Sequence, residues 1–124
     1  MTTAAAPLVL VVEDDQGVRL PLEKFLELHK FRVITADTSE AAISAIHLQR
    51  PAAAIIDLRL ERGSGRDVVI AMPAGAPVII FSGVPDESAE LERLRPRTRL
   101  VHKPYSLTML VEALREMLDS GRVT

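Results

Sequence analysis

Five short runs of branched apolar residues recur along the chain, and each is followed by a stretch with helical spacing. The runs are Leu8–Val12, Phe31–Thr35, Ala53–Asp57, Val78–Ser82 and Leu100–His102. Val, Ile and Leu fill most of them without strict alternation, which marks strands covered on both faces. Five strand–helix alternations leave few folds open. Parallel neighbours need right-handed crossovers, so helices must lie on both sides of one open sheet.

The helical stretches differ in quality. Val18, Leu22, Phe25 and Leu26 share one face of a first helix that ends near Lys30, with Pro21 expected to kink it or loosen its start. Ala42, Ile43 and Ile46 mark a second, capped by Asp37 or Thr38. Gly65–Met72 and Glu87–Leu94 are short and run into Pro73 and Pro96. The last helix is the clearest. Ser106 is its N-cap, Leu107, Leu110, Val111, Leu114 and Leu118 form its stripe, and Gly121 stops it. Phe25, Phe31 and Phe81 read as core, and Tyr105 as partly exposed.

Several function classes drop out on composition. There is no cysteine, so disulfide scaffolds, zinc ribbons and thiol chemistry are excluded. A net charge of −2 gives no general attraction to nucleic acid or anionic membrane. Neither a signal peptide nor a membrane span is visible, so a cytoplasmic protein is expected. His29, His47 and His102 are scattered and lack partners in metal-ligand spacing. Arg93, Arg95, Arg97 and Arg99 read as a solvated helix end that complements the dipole, or as a partner surface. One domain over residues 8–119 is expected, with loose ends at 1–7 and 120–124.

Open parallel sheets bind ligands beyond the carboxyl ends of their strands. Here the first run ends in Glu13-Asp14-Asp15, the third in Asp57, the fourth in Ser82-Gly83 and the fifth in His102-Lys103-Pro104. A lone acid there is usually a helix cap, and Asp15 fits that role. Together they form a constellation. Clustered carboxylates repel unless a cation intervenes, and Mg²⁺ or Mn²⁺ suits oxygen ligands that also share phosphate oxygens. An Asp carboxylate can attack phosphorus, while a compact ammonium and a hydroxyl steady the equatorial oxygens. Lys103 and Ser82 supply those groups.

The motifs LVLVVEDD, AAIIDLRLERGSG, PVIIFSG and VHKPYSL follow one another at suitable spacing. With them the chain resembles the response-regulator receiver domains of two-component signalling, from about Leu8 to Asp119. The resemblance implies a (βα)5 flavodoxin-like α/β fold with strand order 2-1-3-4-5. It implies that Asp57 is the phosphoacceptor, with Asp14, Asp57 and the backbone carbonyl of Arg59 on the metal and Glu13 as its outer partner. Ser82 and Lys103 would contact the phosphoryl group, and Pro104 would follow a cis peptide bond. Arg59 and Val84 would tune access of water to the phosphoryl group, and neither side chain orients water well.

Three places depart from the family pattern. Glu61 stands where a proline is usual, so the loop after Asp57 should be less stiff. The segment between Gly65 and the fourth strand is short, so the third helix should be truncated or replaced by a loop through residues 72–77. Leu100 stands at the aromatic switch position and offers no hydroxyl.

The expected function is a phosphorylation-activated switch rather than a turnover enzyme. A sensor histidine kinase or a phosphotransfer protein would supply the phosphoryl group. A downstream protein, or a second copy of the chain, would dock on the face made by the fourth helix, fifth strand and fifth helix. At 124 residues a stand-alone receiver without a DNA-binding output domain is expected. The competing readings are a phosphorylation-independent docking module and a phosphate sink in a phosphorelay. An aspartyl-nucleophile phosphatase would need an acid at position 59, and a dinucleotide-binding domain a glycine fingerprint after the first strand.

Overall fold

The computed structural model describes residues 6–82, 86–102 and 106–120. Strands and helices alternate throughout: β1 (Leu8–Val12), α1 (Gln16–Leu28), β2 (Arg32–Ala36), α2 (Ser39–Gln49), β3 (Ala53–Asp57), α3 (Gly65–Ala71), β4 (Val78–Ser82), α4 (Asp86–Leu94), β5 (Thr98–His102) and α5 (Leu107–Ser120). The five strands form one parallel sheet in the order β2-β1-β3-β4-β5. This is the flavodoxin-like architecture expected from the resemblance, with the chain reversing its winding between β1 and β3.

The two-residue period of the strands divides the core in two. Leu10, Val12, Ala54, Ile56, Val78 and Ile80 face α2, α3 and α4, where Ile46, Val68, Val69 and Leu91 meet them. Their neighbours Val9, Val11, Ala53, Ile55, Ile79 and Phe81 face α1 and α5, against Leu22, Leu26, Leu110 and Leu114. Both faces of the central strands are thereby dry, which explains why the runs lack polar alternation.

Element ends follow local chemistry. Asp15 caps α1 by accepting from Gly17 N–H at 2.8 Å, and Thr38 caps α2 through Ala41 N–H at 3.1 Å. α1 runs through Pro21 uninterrupted. The ring is exposed, so the carbonyl that loses its donor can turn to water. Phe31 is not in a strand, contrary to the sequence reading. Lys30 takes a left-handed φ of 74°, and Phe31 N–H donates to Leu26 O at 3.1 Å while Lys30 N–H donates to Glu27 O at 3.1 Å. That is the Schellman pattern, and Phe31 and Leu26 join the same apolar cluster as the motif requires. β2 therefore starts one residue later, at Arg32.

α3 is short, at 7 residues, and Pro73 follows its C-cap Met72. Its carbonyl end is closed by an unexpected partner. Arg95 is 7% exposed, so it is not part of a solvated helix end. One guanidinium nitrogen donates to Val69 O (3.2 Å) and Met72 O (3.0 Å), and the other to Pro73 O (2.8 Å) and Ala76 O (3.0 Å). Arg97 also turns inward, to the carbonyls of Gly75 and Met117. A planar five-donor group can satisfy such a ring of carbonyls where an ammonium cannot. Burial pushes the Arg95 pKa below its ordinary value by desolvation, but arginine starts so high that it stays cationic. The arginines thus do for the α3–β4 connection what a longer helix would otherwise do. β5 also begins two residues earlier than its apolar run, at Thr98, because Val78 N–H already bonds to Arg97 O at 3.0 Å.

Arg95→Ala should lower unfolding free energy by about 2–4 kcal/mol, since it removes four hydrogen bonds and takes from Met72 O and Ala76 O the guanidinium that they accept from. Arg95→Lys should recover less than half of that loss. Urea denaturation measures both, and a loss under about 0.5 kcal/mol for the alanine variant would contradict the clamp.

Candidate functional site

β1 and β3 are neighbours, with Val12 opposite Ile56, so the residues that follow both strands emerge side by side. This is the switch point of the sheet, where adjoining connections leave toward opposite faces and open a crevice. Glu13 and Asp14 reach it from β1, and Asp57 from the last position of β3. One carboxylate oxygen from each can be chosen so that all three lie within 4.8 Å of one another. Glu13 is 1% exposed and Asp57 4%, while Asp14 is half-buried.

Backbone amides hold all three carboxylates. Asp15 N–H donates to Glu13 Oε2 at 3.1 Å, Glu61 N–H to Asp14 Oδ2 at 2.7 Å, and Arg59 N–H to Asp57 Oδ1 at 2.9 Å. Arg19 reaches back from α1 to donate to Glu13 O at 2.8 Å. Amide donors offset part of the repulsion, and they fix the rotamers of the acids. Gly65 lets the loop close over the site: a Cβ there would run into Asp57 O and Leu58 Cα.

A donor set of three carboxylates, without imidazole or thiolate, is hard and anionic. It fits Mg²⁺ or Mn²⁺, and it does not fit a soft metal. The buried pair Glu13 and Asp57 also fits a cation chemically, because two desolvated acids so close need positive charge.

The sequence-expected residues separate into three groups. Glu13, Asp14 and Asp57 come together, and the Arg59 amide joins them. Leu100 lies half-buried in β5 and packs on the α2–α3–α4 side of the core, away from any role that needs a hydroxyl. Ser82 ends β4 beside β3, but its side chain lies outside the described residues, as do Val84, Lys103, Pro104 and Tyr105. The sequence reading overlooked Arg19 and the Glu61 amide. A signal for the second did exist: any residue other than proline at position 61 has an N–H to donate.

Fold and site together define an open doubly wound α/β domain with a cation-fitting acid cluster at its switch point. The sequence model of the response regulator receiver domain matches residues 9–115. The chain belongs to that family. It is 33% identical over 123 residues to the transcriptional regulatory protein PrrA of Mycobacterium tuberculosis, covering 94% of this chain and 52% of that one. It is 30% identical over 119 residues to the KDP operon transcriptional regulatory protein KdpE of Escherichia coli, covering 94% and 53%. The chain thus spans about half the length of these curated relatives. Among solved structures, a CheY-like receiver domain protein from Methanospirillum hungatei superposes with a TM-score of 0.84 at 22% identity, covering 94% of this chain and 96% of that one. A receiver protein from Sinorhizobium medicae gives 0.83 at 19%, covering 94% and 98%. No described helix is long and apolar enough to cross a membrane.

Mg²⁺ at about ten times its dissociation constant should raise the unfolding midpoint by roughly 3–6 °C, because only the folded state gathers the three acids. Asp14→Ala should lose most of that shift. An equal shift in that variant, read by thermal denaturation, would remove Asp14 from the metal site.

Proposed function

We propose that the protein is a phosphorylation-controlled signalling switch with Asp57 as the phosphoacceptor. The observation that carries this reading is the Glu13–Asp14–Asp57 cluster, held by backbone amides at the carboxyl edge of a receiver fold. Asp14, Asp57 and the Arg59 carbonyl would ligate Mg²⁺ or Mn²⁺, with Glu13 acting through water. The cation, when bound, neutralises phosphoryl oxygens and so lets a carboxylate approach phosphorus.

The chain's own residues carry the rest. Arg59 N–H fixes one oxygen of Asp57, which orients the carboxylate for in-line attack. In the transfer, a new O–P bond forms on Asp57 as the N–P bond of a phosphohistidine breaks, and the donor imidazole leaves. A sensor histidine kinase or a phosphotransfer protein is the donor. Lys103 and Ser82 hold the transferred group. The protein turns over no metabolite and catalyses only its own phosphorylation and dephosphorylation.

The output is a change in protein binding through a shifted two-state equilibrium. Its surface is the α4–β5–α5 face, where Leu94 and Met109 are exposed and Arg99 pairs with Glu116 at 3.1 Å. Arg93 and Arg99 remain outward on this side, since Arg95 and Arg97 are used internally. The same face would serve a homodimer. Leu100 cannot report the state of Ser82 through a hydroxyl, so its contribution is packing against the core.

Incubation with Mg²⁺ and acetyl phosphate should add one phosphoryl mass to the intact protein, and Asp57→Asn should abolish it. No adduct with any donor, together with no binding of beryllofluoride, would favour a docking module instead. Lys103→Ala should leave metal binding intact and blunt the change in partner binding. The phosphorylated form should persist for minutes or longer in Mg²⁺ buffer, because Arg59 and Val84 do not orient water. A lifetime of seconds would refute that account of these two positions.

A further inference from the structure

The loop that follows Asp57 contributes more than the phosphoacceptor. It places Glu61 N–H 2.7 Å from Asp14 Oδ2, across 47 positions of sequence. The Glu61 side chain is exposed, so the contact belongs to the backbone. The path of the loop is set on both sides of Glu61. Gly65 N–H donates to Leu58 O at 3.3 Å, and Ser39 N–H at the start of α2 donates to Arg62 O at 3.3 Å. Gly63 adopts φ 93° against Ser39, where a Cβ would run into the Ser39 side chain. A loop closed on itself just after β3 and fastened to the start of α2 presents the Glu61 amide in one place.

We propose that the Glu61 amide is a positioning group for the divalent cation: by fixing the Asp14 carboxylate it raises the affinity of the Glu13–Asp14–Asp57 cluster. The proposal rests on the metal-binding reading of that cluster. An N–H bound to one oxygen of a carboxylate limits its rotation, so the remaining acceptor positions point consistently into the crevice. The residue at position 61 acts only through its N–H. Proline, usual at this place in the family pattern, has none. By linkage, the cation must in turn stabilise the loop through the same bond.

The test compares Glu61→Pro with Glu61→Ala, both of which lack the carboxylate while only the second keeps the amide. Calorimetric titration with MgCl₂ should show binding about tenfold weaker in the proline variant than in the alanine variant. Equal affinities would overturn the inference and leave the phosphoacceptor reading standing. A wild-type protein with no saturable Mg²⁺ binding would overturn both. Hydrogen exchange gives a second readout that needs no proline. The Glu61 amide should be protected in the metal-free wild type, more protected with Mg²⁺, and exposed to exchange in Asp14→Ala. Undiminished protection in Asp14→Ala would sink the proposal even if Glu61→Pro failed to fold.

Discussion

Three carboxylates drawn within 4.8 Å of one another, two of them buried, form an arrangement that resists its own assembly. Like charges repel more strongly as water is removed, so the surroundings must hold them in place. Among the described residues, two devices contribute. The parallel pairing of β1 and β3 fixes where the acids emerge, and one backbone amide apiece fixes how each carboxylate is turned. The hydrophobic packing on both sheet faces serves the site by making those strands immovable. Acids held together against their own repulsion are a donor set that fits a divalent cation.

The second constraint is the treatment of backbone carbonyls far from the site. α3 ends early, and a helix end needs partners for its last carbonyls. Arg95 meets that need from the α4–β5 connection, with four bonds to the end of α3 and the segment after it. Arg97 extends the tie to α5. The side of the domain proposed to meet partners is therefore fastened to the α3–β4 segment by the buried Arg95 and the half-buried Arg97. This changes the meaning of a basic run that looks like a solvated patch in sequence. Arg95 is an internal strut and Arg97 is tied to backbone carbonyls, which leaves a smaller basic outer face.

Much of the architecture was legible before any coordinates. β1, β3 and β4 coincide with their apolar runs because strands dry on both faces leave an unbroken signature. Asp15 was readable as a cap, and the cap of α2 as Asp37 or Thr38, because short polar side chains before an amphipathic stretch have a specific acceptor role; the structure selects Thr38. Phe31 was misplaced for an instructive reason. An aromatic residue before a branched apolar run looks like its first strand position, whereas here it closes the Schellman turn of α1 onto Leu26. The beginning of β5 was hidden in a similar way, since Thr98 and Arg99 carry no apolar signal and join the sheet through backbone bonds beside β4.

By itself, the sequence determined the alternating α/β plan, the two apolar faces of the sheet, and the acids at the strand ends. Those follow from periodicity, capping and turn chemistry, which are local. Only the tertiary structure decided that the Glu61 amide holds Asp14, and where the arginines point. Glu61 meets Asp14 across 47 positions, and Arg95 meets Val69 across 26. Hydrogen bonds of that kind leave no periodic trace, because one partner in each is a backbone amide or carbonyl of the sort that nearly every residue carries. Their geometry exists only once the sheet has brought distant loops to the same edge.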